Sequence, residues 1–125
     1  MTPTTRLVEL SADEMRRAAS GVGGLPIEQS EHWEAFARAR GNSRFARLGW
    51  YEGDKCAAVL ALDEHRIRHW RYLWAKNGPA WIKEPTPERE ARLRADLAAW
   101  VRHRDRGILF LRLHAWYRAG DLHEL

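Results

Sequence analysis

The sequence predicts an α/β (α+β) fold, a mixed sheet flanked by helices, and three observations lead there. Segments with period-two alternation take turns with segments of helical periodicity, the pattern of a layered sheet. Each helical segment opens on a Ser or Thr cap. Two runs, Cys56 to Leu62 and "ILFLRLHAWY" from Ile108, are too apolar for strands with one wet face. At 125 residues the chain suits one domain with a real core.

Thr5 to Leu10 is a short strand. Ser11 and Glu14 form a capping box that opens a helix to about Ala19. The glycines of "SGVGGLP" break it and lack the spacing of a nucleotide-binding fingerprint, so they read as a connector. Ser30 caps the next helix, with Trp33, Phe36 and Ala37 on one face and Gly41 as its stop. "RFARLGWYEGDKCAAVLALDEH" is a hairpin turning at Gly53-Asp54, and its second strand should be covered on both faces. "RIRHWRYLWAK" is predicted as one further strand. Trp70, Tyr72 and Trp74 share one of its faces; Ile67, His69, Arg71 and Leu73 share the other. Thr86 and Pro87 start the longest helix, Glu88 and Glu90 suit its dipole, and Leu93, Leu97, Trp100 and Val101 form its stripe up to Arg106-Gly107. "ILFLRLHAWY" is then expected as a strongly buried strand, with Arg112 paired or reaching the sheet's end.

The charge is +4, carried mostly by arginine, whose planar fork suits phosphate and carboxylate. A solvated arginine-rich surface is the more common source of such a charge. A lone cysteine, Cys56, excludes an internal disulfide and fits a reducing compartment. With no signal-like or membrane-spanning run, a cytoplasmic protein is expected, and a basic surface leaves peripheral contact with the inner membrane face open. No pair among the six histidines has zinc-site spacing, so no metal is expected; Asp63-Glu64-His65 groups ligand types, but neighbours on a strand point to opposite faces. No nucleophile elbow occurs, and Cys56 reads as a small core residue. Arginines interleaved with aromatics in "RIRHWRYLW" fit base stacking, but aromatics at period two more often make a packed sheet face.

Three motifs in order carry a resemblance: the Gln29-Ser30-x-x-Trp33 helix start, Gly78-Pro79 after an aromatic strand, and Leu111-Arg112-Leu113 after the long helix. Over residues 25 to 118 the chain resembles the first half of the Fem-type (FemABX) peptidyltransferases, tRNA-dependent aminoacyltransferases of peptidoglycan bridge formation. The resemblance implies that residues 1–125 are a single acetyltransferase-like domain, the N-terminal half of a longer enzyme. The complete enzyme would use aminoacyl-tRNA as donor and a lipid-linked or UDP-linked muramyl peptide as acceptor, with no bound cofactor. It further implies a precursor cleft beside the Gly-Pro turn, lined by Lys76, Asn77 and Trp74, with Trp81 as wall or support. Where some relatives carry a diphosphate-contacting lysine this chain has Ala37, so neighbouring Arg38 is the candidate for that charge. His114 and Tyr117 are candidate polar groups of the cleft, and His114-Ala115 stands where relatives often have Asp-Pro. No catalytic base is assigned. Lacking its C-terminal half, the chain alone is expected to be inactive. The alternatives are an acyl-CoA-dependent N-acetyltransferase, disfavoured by the missing pyrophosphate loop, and a basic RNA-binding or interaction domain.

Overall fold

The computed structural model describes residues 4–26 and 29–116. Its elements are β1 (Thr5–Glu9), α1 (Ala12–Ser20), α2 (Glu31–Ala39), β2 (Ser43–Glu52), β3 (Lys55–Ile67), β4 (Trp70–Trp81), α3 (Pro87–Arg104) and β5 (Ile108–Trp116). The strands form one mixed sheet in the order β1-β2-β3-β4-β5. The first four are antiparallel in succession, and β5 lies parallel to β4 after the α3 crossover. The expected class is correct.

The predicted caps form. The Ser11 hydroxyl accepts from the Glu14 amide and the Glu14 carboxylate accepts from the Ser11 amide. Ser30 and Thr86 cap α2 and α3, with Pro87 in the first turn of α3. Gly53 turns the β2–β3 hairpin with φ of +59°, in the left-handed region that glycine enters without a Cβ clash.

The long helix α3 closes one face of the sheet. Leu97 and Val101 pack on Leu48, Leu60, Leu62, Leu73 and Ala75, all buried. Leu93 packs on Trp50 and Trp81, whose rings meet edge to face at 6.0 Å. Asp96 pins the helix by accepting from the Trp50 indole at 2.8 Å and the Thr5 hydroxyl at 2.6 Å. Arg71 holds its far end through a two-pronged pair with Asp105 at 2.8 and 2.9 Å. On the opposite face α1 sets Met15 and Ala19 against Val59, Ala61 and Ala80, and α2 lies along β2.

Four expectations need correction. The strand predicted from Arg66 is two pieces: Arg66 and Ile67 end β3, and β4 starts at Trp70. Arg68 makes the intervening turn at φ +58°, so no glycine or asparagine advertises it. Gly78-Pro79 is no turn, because β4 continues through it to Trp81 across a cis peptide bond. Trp81 is buried beneath α3 against Trp50 and Leu93 and does not line the space beside Lys76 and Trp74. Finally, β5 is the sheet edge, with Leu109 and Phe110 about half exposed and Arg112 in solvent.

Candidate functional site

Between Val59 and Asp63 the β3–β4 ladder is interrupted, and the Gln29 side chain fills the gap. Its Oε1 accepts from the Ala61 amide at 2.6 Å, and its Nε2 donates to the carbonyls of Ala61 at 3.2 Å and Lys76 at 2.9 Å. A buried amide is stable there because the open ladder supplies the partners that burial demands. The same side chain explains Gly78. A Cβ at that position would lie 2.6 Å from Gln29 Oε1, so only glycine lets the amide in. Two motifs 49 residues apart in the chain are thus one contact.

Beside this joint lies a cleft of about 400 Å³, lined by residues of α2 and its C-terminal turn and of β3 and β4. Trp33 and Phe36 form the α2 wall, and Trp74 and His65 form the sheet wall. The Lys76 ammonium sits 5.3 Å from the ring centres of both Trp33 and Trp74. Arg40 lies 5.5 Å over Phe36, and Arg112 lies 4.6 Å over the Trp74 ring. None of Lys76, Arg40 and Arg112 has a carboxylate partner among the described residues. Lys76 and Arg40 therefore give the cleft a surplus of positive charge between aromatic walls, with Arg112 outside its lining.

Its floor is polar. Asp63 is buried and pairs with Arg44 at 3.2 Å, both side chains about 5% exposed or less. Burial pushes the Asp63 carboxyl upward, opposed by Arg44 and a hydrogen bond from Trp33. Arg44 also donates to the Ser30 carbonyl at 3.0 Å, fixing the entry to α2. The His65 ring stacks on Tyr72 with centres 5.2 Å apart, and burial followed by Lys76 lowers its pKa. Near pH 7 this imidazole is neutral and able to accept a proton.

Of the residues singled out from sequence, Lys76 and Trp74 line this cleft. Arg38 does not: it faces outward, 70% exposed, and pairs with Glu34 at 3.2 Å. The cation that α2 contributes is Arg40, one residue past the helix. Asn77 lies on β4 and His114 on β5 opposite Lys76, with their side chains outside the described part. Tyr117 lies outside the described residues. Asp63 and His65 were missed although their spacing of two puts both on one strand face; considering only adjacent pairs hid it. Among the described residues no group of His, Cys, Asp and Glu could hold a metal ion.

No protein-family model, no curated protein and no solved structure matches the chain. No described helix is long and apolar enough to cross a membrane.

Proposed function

We propose that the chain is the acetyltransferase-like N-terminal half of a Fem-type aminoacyltransferase, and that the α2–β4 cleft receives the phosphate-bearing muramyl-peptide precursor. The observation that carries this reading is Lys76, held between two indoles with no carboxylate partner among the described residues. An uncompensated cation in a part-buried, aromatic-walled cleft favours an anionic ligand, and charge-assisted hydrogen bonds to phosphate oxygens would satisfy it. The three motifs behind the resemblance converge here too. Gln29 contacts Gly78, Trp33 faces Lys76, and Arg112 lies on Trp74.

In the complete enzyme the precursor amine attacks the ester carbonyl of aminoacyl-tRNA. A C–N bond forms, the bond to the ribose oxygen breaks, and the amine proton passes through a base to that oxygen. This half supplies acceptor binding and, in His65, a neutral imidazole beside it. The acyl-CoA reading is less well supported, because the helix after β4 opens with Pro87, Glu88 and Glu90, which oppose a pyrophosphate there.

Calorimetric titration with a UDP-linked muramyl peptide tests the reading. Lys76→Ala and Arg40→Ala should each weaken binding by about 1–3 kcal/mol, while Arg38→Ala leaves it unchanged. Parent-like affinity in both cleft variants removes the assignment.

A further inference from the structure

Beyond the cleft, no other described element covers the face shared by α1 and α2 over the first part of β4 and over Phe110 of β5. Tyr72 and Trp74 of "RIRHWRYLW" lie there rather than in the core beneath α3. Tyr72 is stacked between His65 of β3, at 5.2 Å, and Phe110 of β5, at 4.7 Å, with planes within 18°. The row ends at the sheet edge on Phe110, 43% exposed, and among the described residues no second ring lies against it. Trp70, half exposed, continues the alternation that puts Tyr72 and Trp74 on this face. The Arg112 guanidinium carbon lies 4.6 Å from the Trp74 ring centre, two residues along β5 from Phe110.

We propose that this open face binds a single-stranded polynucleotide, its bases extending the ring stack at Phe110 and its phosphates meeting Arg112 and Lys76. The charge chooses the occupant. Neither cation has a carboxylate partner among the described residues, and the chain carries a net +4, so the face fits a ligand that alternates aromatic planes with negative charge. An apolar protein strand would meet the rings but leave the arginine unmatched. The proposal shares Lys76 with the transferase reading and is separated from it by Phe110 and Arg112, which lie outside the lining of the α2–β4 cleft.

The test is fluorescence anisotropy of a short labelled oligouridylate with the intact chain, repeated across salt concentrations, beside a duplex of equal length. Single strands should bind more tightly than duplex, with affinity falling as salt rises. Phe110→Ala and Arg112→Glu should each weaken binding about tenfold or more, and Phe110→Ala should leave unaltered the titration by a UDP-linked muramyl peptide that reports the cleft. Both side chains are exposed, and a melting curve checks each fold; should Phe110→Ala melt early, Arg112→Glu decides. Equal binding of duplex, or parent-like binding by Arg112→Glu, overturns the proposal. Binding to anionic phospholipid vesicles with none to the oligonucleotide overturns it in favour of a membrane surface. A dimer that Phe110→Ala dissociates, again with no oligonucleotide binding, assigns the edge to a second copy of the chain.

Discussion

The two faces of the sheet are built from the same strands and made for different ends. Beneath α3 the residues are Leu, Ala and Trp, nearly all fully buried, and the polar atoms there serve to fasten the helix. On the other face the helices cover β2, part of β3 and the end of β4, and elsewhere the side chains change to Trp, Tyr, Phe, His, Arg and Lys. Large aromatic area left half exposed adds little to stability compared with the same area buried. The difference teaches that tryptophan count alone misleads: Trp50 and Trp81 are structure, whereas Trp33 and Trp74 are surface with a charge resting on them.

Substitutions can break or sharpen this contrast. The largest effect is expected on the closed face, where Leu97→Ala should cost about 2–5 kcal/mol in a denaturant melt, the range for a fully buried leucine that leaves a cavity. A loss below 1 kcal/mol, roughly, would mean that α3 is loosely docked.

Next comes the joint between the faces. Gly78→Ala should cost about 1–3 kcal/mol, since the new methyl must displace the Gln29 amide. If Gln29→Ala is made first, the added cost of Gly78→Ala should largely vanish. A double-mutant cycle measures that coupling.

On the open face, Arg112→Ala should cost no more than about 1 kcal/mol, the scale of an exposed cation–π contact. This revises the expectation that Arg112, in a buried strand, is constrained by pairing or by reaching the sheet's end. Arg38→Ala, an exposed pair with Glu34, should leave the melting temperature unchanged.

The smallest effect is a pH dependence. His65 has a folded pKa below its ordinary value of about 6.5. Between the two values the unfolded chain binds more protons, so stability is lost as pH falls through the folded pKa. His65→Gln should shrink that acid-side loss in melts taken from pH 7 downward. Asp63, whose pKa is raised, acts with the opposite sign, so the difference between variant and parent is the quantity to read. Lys76, Tyr72 and Trp74 surround the imidazole and stay constant in the comparison.

Local chemistry was legible in the sequence. Caps at Ser11, Ser30 and Thr86, the Gly53 turn and the doubly covered β3 all depend on neighbours a few residues apart. What escaped depends on distance or on absent signals. Arg68 turns the chain without a turn-former, so two strands looked like one. The edge position of β5 follows from pairing order, which an apolar run does not encode. Part of the proposed cleft was legible as residue types, Lys76 and Trp74, because they share a face of one strand. Asp63, His65 and Arg40 join it only through the register of β3 and the end of α2.

The Gln29 bridge also makes one backbone amide a gauge. The Ala61 N–H donates to a side chain that belongs to the segment leading into α2. Ser30 follows at once as the cap, and Trp33 lies a turn later. Any motion that lifts α2 from the sheet must withdraw that acceptor and expose the amide to solvent. Its deuterium exchange should therefore run at the rate of cleft opening, while amides of β3 bonded only to strand carbonyls wait for the sheet itself to part. A ligand bridging Trp33 and Lys76 would slow this one proton first.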